Sequence, residues 1–353
     1  MKNIKIIDNH CHICFPEPIE NTVKGFEKEI DELELDEIGL LSAPRVESHT
    51  GVKVDILENL KVLYIKERLS IPVYAYAGFV YHTEDSNCYV KFAKEMLEMG
   101  FDGFKTLEQH PKNRKEIGKG LNDVSFDAFF DYIEKKKIPV VCHVGDPRRN
   151  WDIETATESA RTLGRIYGSS FLSLDELYGE MDNLFQKHPE VPIILAHFYF
   201  KSDDYDGLEQ LMKTYPNIYL DFTPGTEMFI DFSKSKDIWR DFFLRYSKRL
   251  IFGSDLYGAG YGVNRHQLVR QFLETSEAFN LLQRGDIVLP VCLPDEVLAD
   301  IYGRNVKRLL GEVPKQVNRG KVYEYCVDIA ENHFHELNDI GRENLQTFLE
   351  FWK

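Results

Sequence analysis

The chain alternates short apolar runs with amphipathic stretches, and it does so eight times in succession. The runs read as strands: Ile4–Asp8, Ile38–Ser42, Val73–Val80, Phe101–Leu107, Pro139–His143, Pro192–His197, Ile218–Phe222 and Leu250–Ser254. Several are entered from proline or glycine, as in "KKKIPVVCH" and "HPEVPIILAH". The intervening segments carry helical periodicity, among them Val54–Leu69, Tyr89–Met99, Phe126–Lys136, Leu174–Lys187, Leu208–Tyr215 and Ile238–Tyr246. Eight strand–helix units in a row predict an α/β fold, a (β/α)8 TIM barrel. The rival, a doubly wound sheet, loses its nucleotide-binding versions: no G-x-G-x-x-G follows the first run and no G-x-x-x-x-G-K-[ST] occurs.

No low-complexity linker divides the chain. Three further helical stretches follow the eighth run: His266–Asn280, Pro294–Leu310 and Lys321–Asn338, then an apolar end, "LQTFLEFW". The expected organisation is one barrel over residues 1–311 and a C-terminal helical extension over 312–353. The extension's aromatics (Tyr323, Tyr325, Phe334, Phe348, Phe351, Trp352) need burial, against the barrel or a second subunit. They are the ground for expecting a homodimer.

With 43 basic and 58 acidic residues the formal charge is −15. That argues against nucleic acid or an anionic membrane as a partner, because both call for basic patches. The opening "MKNIKIIDNH" has no apolar leader region, and no stretch approaches the roughly 20 apolar residues of a spanning helix. The six cysteines are scattered, as in a reduced cytoplasmic protein. Cys11 and Cys14 form a C-x-x-C. Strand geometry nevertheless turns Cys11 away from its histidine neighbours, which disfavours a redox or metal role.

Those neighbours, His10 and His12, carry the first chemistry. Residues two apart in a strand share a face, so the two imidazoles lie together. Other strands end similarly: Lys105 in "FDGFKTL", His143 in "PVVCHVGD", His197 in "PIILAHFYF" and Asp255 in "RLIFGSDLYG". Singly, each has a plain structural explanation: a hydrogen-bonded histidine, a capping aspartate, a snorkelling lysine. Together, at the ends of strands 1, 4, 5, 6 and 8, they converge on the rim where barrel active sites are built. Imidazole nitrogens with a carboxylate oxygen suit a divalent ion such as zinc. Asp8 has the parity to lie beneath His10 and accept its second nitrogen's proton, with a core-facing structural role as the alternative.

The ordered set "DNHCHI", "CHVGD", "LAHF", "IFGSD" and "IYGRNVKRLLG" resembles the amidohydrolase superfamily, in its amidohydrolase-related (family 2) branch, over roughly residues 4 to 311. The resemblance implies a divalent cation, one ion or two. His10, His12 and His143 would be ligands, and Asp255 would hold the metal or its water and act as general base. His197 would be a second-ion ligand or an acid/base residue, and Lys105 a carboxylated bridge in binuclear members. It implies a metal-dependent hydrolase that cleaves a C–O or C–N bond of a small carbonyl compound. A decarboxylase or hydratase on the same site is the alternative, and a non-catalytic metal-binding protein the third reading. Substrate recognition falls to the loops after the strands. These hold Arg45 after strand 2, and Tyr81 and His82 after strand 3. Arg148, Arg149 and Trp151 follow strand 5, and Tyr257, Arg265 and His266 follow strand 8. Arginines there suit a carboxylate-bearing substrate through paired N–H donors.

Overall fold

The structure, a computed structural model, describes residues 4–13, 17–44, 55–225, 227–260, 262–281 and 286–353. Eight parallel strands form one sheet in sequential order: β1 Ile7–His12, β2 Glu37–Leu41, β3 Val73–Gly78, β4 Gly103–Gln109, β5 Val140–Val144, β6 Ile193–Leu195, β7 Ile218–Asp221 and β8 Leu250–Ile251. The last strand is short, and its continuation closes the barrel onto β1. Asn9 N–H donates to the Phe252 carbonyl (3.1 Å), Asp255 N–H to that of His10 (2.9 Å), and His12 N–H to that of Leu256 (2.7 Å).

Helices cover the outside. They are α1 Ile19–Leu33, α2 Glu58–Arg68, α3 Ser86–Met99, α4 Pro111–Ile117, α5 Val124–Lys136, α6 Glu158–Thr162, α7 Leu174–Lys187 and α8 Tyr205–Thr214. Then come α9 Met228–Lys234, α10 Lys236–Arg245, α11 Val263–Glu274, α12 Asp295–Ala299, α13 Asn305–Leu310, α14 Arg319–Asp328 and α15 Asp339–Trp352. The TIM-barrel fold with C-terminal helices predicted from the alternation is the fold observed.

Two apolar layers result from the alternation of strand side chains. Ile7, Leu41, Tyr74, Tyr76, Val141, Ile194 and Ile251 form one cluster with Val306 of α13, and the larger cluster lies between strands and helices. A β-bulge between Asp8 and Cys11 shifts the register of β1 against β2. The bulge lets Ile7 join the smaller cluster and still sends His10 and His12 to one place.

Helix α1 braces the segment after β8. Gly25 lies so close that an added Cβ would stand 1.4 Å from the Gly258 oxygen. The Glu29 carboxylate accepts from the N–H groups of Gly258 (2.9 Å) and Gly260 (2.6 Å). The C-terminal segment is bonded to the barrel: Lys315 N–H donates to Asp102 Oδ1 (2.7 Å) and Asn318 N–H to the Met99 carbonyl (3.0 Å). Phe348, Phe351 and Trp352 pack edge-on or tilted around Tyr64 of α2, with ring centroids 4.9–5.9 Å away. Of the tail's aromatics named above, only Phe334, 45% exposed, is left outside. Among the described residues no helix is long and apolar enough to cross a membrane.

Candidate metal centre

The closest group of ligand-type side chains is His10, His12 and Asp255, whose donor atoms lie within 4.8 Å of one another. His10 Nδ1 is 2.7 Å from Asp221 Oδ2, and His12 Nδ1 is 3.1 Å from the Leu41 carbonyl oxygen. A carbonyl can only accept. Burial pushes the Asp221 carboxyl upward, but His10, His197 and Lys105 together outweigh it and keep Asp221 low and ionised, so it too only accepts. Both Nδ1 atoms therefore carry the proton. Burial, then His10, hold His12 well below its ordinary pKa and neutral.

Each Nε2 is then left to face the interior. The two stand 3.0 Å apart, and Asp255 Oδ1 lies 3.8 and 3.7 Å from them. Donors about 2.0–2.1 Å from a tetrahedral ion stand roughly 3.3–3.4 Å from each other. A second proton on His10 would satisfy one of its neighbours. A divalent cation satisfies all three acceptors at once, and the donor set fits one.

Asp255 is held in the left-handed region at φ 62°, a conformation Asp tolerates better than most residues. Burial would raise its carboxyl, but His197, His10, His12 and Arg265 hold it far below the ordinary range. Arg265 Nη1 donates to Asp255 Oδ2 (3.0 Å), and the Tyr257 ring stacks on His12 at 5.8 Å. These two rim residues adjoin the group.

His197 comes next, its ring 5.5 Å from that of His10. It opens a run of four left-handed residues, His197 to Phe200, with φ between 49° and 60°. Left-handed backbone costs roughly 1–2 kcal/mol per non-glycine residue. Asp221 offsets part of this, because its Oδ1 accepts the His197 N–H (2.8 Å). Burial lowers His197 to about 4, so the ring is neutral at pH 7. Its Nδ1 is buried with no hydrogen-bond partner among the described residues.

His143 is not in the tight group. Its ring lies 4.9 Å from that of His197, and its Nε2–H donates to the Gly145 carbonyl (3.0 Å). Beyond it, His110 and Asp146 form another imidazole–carboxylate group with His143. Tyr167 donates to Asp146, and His110 Nε2 stands 3.5 Å from it. Lys105 lies below the rim, because β4 continues four residues past it to Gln109. Its ammonium is buried and unpartnered among the described residues, and burial lowers it to about 8.

Other expected rim residues turn elsewhere. The Tyr81 hydroxyl donates to the Cys88 carbonyl (2.9 Å), and Trp151 Nε1 to the Leu172 carbonyl (2.9 Å). Arg148 faces Asp175 and Asp203, and Arg149 pairs with Glu227 at 2.8 Å. His82 sits 3.7 Å from buried Glu108. Burial lifts Glu108 to about 7, and burial with Lys119 lowers His82 to about 4. Arg45 and Cys14 lie outside the described residues.

Of the two readings of Asp8, the structural one is the arrangement observed. Across the bulge it faces Ser254 N–H (3.1 Å) and His266 Nδ1 (3.2 Å), and His266 is buried away from the rim. Sequence reasoning passed over Asp221, His110, Asp146 and Glu108. The first two were within reach, since "YLDF" and "LEQHP" end strands 7 and 4 as the other site motifs end theirs.

Fold and site together define a TIM barrel with a candidate metal centre at its mouth. Residues 87–311 match the Amidohydrolase family model of the family 2 branch, and the chain belongs to that family. Solved structures agree on the fold. A 4-oxalomesaconate hydratase from Rhodopseudomonas palustris is 14% identical, with 92% of this chain and 99% of that one covered, at a TM-score of 0.52. A 2,6-dihydroxybenzoate decarboxylase from Rhizobium is 13% identical (87% and 98% covered, TM-score 0.50). A probable 2-pyrone-4,6-dicarboxylic acid hydrolase from Acinetobacter baumannii, with citric acid bound, is also 13% identical (87% and 99% covered, TM-score 0.50). No curated protein matches the sequence.

Proposed function

We propose that the protein is a metal-dependent hydrolase acting on the C–O or C–N bond of a small, carboxylate-bearing carbonyl compound. The observation that carries this reading is the convergence of His10 Nε2, His12 Nε2 and Asp255 Oδ1, three acceptors with no donor between them. His10, His12 and Asp255 would hold the ion, with zinc the expected identity. His143 would join through Nδ1, because its Nε2–H is committed to Gly145. A bound divalent cation supplies Lewis-acid polarisation of a carbonyl and brings a water's pKa from 15.7 toward ~7.

The chain's own groups do the rest. Asp255, ionised, accepts the water's proton and passes it to the leaving group. Neutral His197 donates to the oxyanion that develops, an interaction that strengthens toward the transition state. Arg265 orients Asp255 and offers its remaining N–H donors to a substrate carboxylate. Lys105, without a hydrogen-bond partner among the described residues, is suited to a second anionic substrate group or, as a carbamate, to a second ion.

The test is metal content and turnover. His10→Ala/His12→Ala should lose the ion. Asp255→Asn should lower turnover by about 10²-fold or more. Retained metal and undiminished turnover in the double variant would remove the proposal. Products separate the reactions: release of CO2, or loss of a double bond, from an acid substrate would replace the hydrolase by a lyase on the same site.

A further inference from the structure

A third group of ligand-type residues lies away from the mouth, where α5 and α7 end and strands β5 and β6 begin. Asp131 and Glu134 stand one turn apart on α5, and His188 follows the last residue of α7. His188 Nδ1 is 3.3 Å from Asp131 Oδ1 and 4.0 Å from Glu134 Oε2. The His188 ring is 4% exposed and stacks on Phe130 at a centroid distance of 5.5 Å. Neither of its nitrogens has a hydrogen-bond partner among the described residues.

That combination is informative. The Asp131 oxygen is near enough for a hydrogen bond and out of line for one. Ligands around a shared ion have that relation: they stand roughly 3.3–3.4 Å apart and point at the ion, not at each other. The neighbouring charges leave these atoms available. Asp127, 3.8 Å from His188 Nε2, is taken by Lys187 at 2.9 Å. Glu134 uses Oε1 to accept the Glu190 N–H (2.8 Å), which leaves Oε2 to face His188.

We propose that His188, Asp131 and Glu134 bind a divalent transition-metal ion, zinc by class, that ties the end of α5 to the segment leading into β6. One imidazole and two carboxylates suit zinc rather than calcium, which takes 6–8 oxygens. Asp131, 72% exposed at its side chain, leaves the outer side of the ion to water. The site is independent of the mouth and of the reaction carried out there.

Calorimetric titration of zinc chloride into the metal-stripped, full-length protein tests it. Asp131→Asn/Glu134→Gln keeps the size of both side chains and the oxygen that accepts from Glu190. It should bind one equivalent fewer than the wild type and show a smaller zinc-induced rise in melting temperature, while His12→Ala keeps this equivalent. Should the double variant fail to fold, Asp131→Asn alone, at the most exposed ligand, should weaken that equivalent at least tenfold. Equal stoichiometry and affinity in wild type and the carboxylate variants would overturn the proposal.

Discussion

Replacing Asp221 by Asn tests the logic of the metal centre more sharply than removing a ligand. Oδ1 of Asp221 accepts two backbone N–H groups, those of His197 (2.8 Å) and Thr223 (3.2 Å), while Oδ2 accepts from His10 Nδ1 (2.7 Å). In Asp221→Asn the amide oxygen must stay with the two backbone donors, so the NH2 group faces His10. Two donors cannot face each other. His10 then changes tautomer, accepts at Nδ1 and carries its proton on Nε2, the atom that should bind the ion. The substitution loses a charge-assisted hydrogen bond worth roughly 1.5–3 kcal/mol. Loss of such an outer partner typically costs about 10–100-fold in metal affinity, or about 1.4–2.8 kcal/mol at 1.4 kcal/mol per factor of ten. The two figures agree. Competition with a chromophoric chelator measures the affinity, and ¹⁵N shifts of the His10 ring report the tautomer. In a His10→Ala background the same substitution should cost little more. Affinity within twofold of wild type, with His10 Nε2 still unprotonated, would refute the reasoning.

Two further outcomes follow from burial and packing. His82 and His197 both have folded pKa values of about 4, below the ordinary 6.5. The unfolded state therefore binds more protons, and in the metal-free protein stability should be complete above pH 6.5 and fall as pH drops toward 4, by up to ~1.4 kcal/mol per pH unit for each ring. Urea midpoints across that window should fall less steeply in His82→Gln, and an unchanged slope would contradict the assignment. Gly25→Ala should lower the melting temperature and disturb Tyr257 and Asp255, because its Cβ would meet the Gly258 oxygen at 1.4 Å. The expected cost is at least the roughly 1–3 kcal/mol of an overpacked contact, and wild-type stability in thermal unfolding would sink the point.

The fold was legible because a barrel repeats one local instruction. Each apolar run, several of them entered from Pro or Gly, needed no knowledge of the others, and strand order followed chain order. The pairing of His10 and His12 was legible for a related reason: their side chains still meet at period two, although His10 sits within the irregular stretch of β1. The same rule failed for Asp8. The bulge between Asp8 and Cys11 intervenes, and no residue in "IIDNHCH" announces it. Lys105 was placed too near the rim because the apolar run ends at Leu107 while the hydrogen-bonded strand continues through Glu108 to Gln109.

Asp221 shows why orienting groups are harder to read than ligands. It is 211 residues from His10, and the bond between them depends on barrel closure, which leaves only β8 between β7 and β1. A lone aspartate at a strand end has no local partner that would single it out. Yet its two oxygens serve two different purposes: one sets the tautomer of a ligand ring, the other anchors the first residue of the left-handed run that carries His197. On the proposed function, a carboxylate so shared would couple the ion to the acid/base residue: any change in how His10 holds the ion would be felt at the backbone of His197.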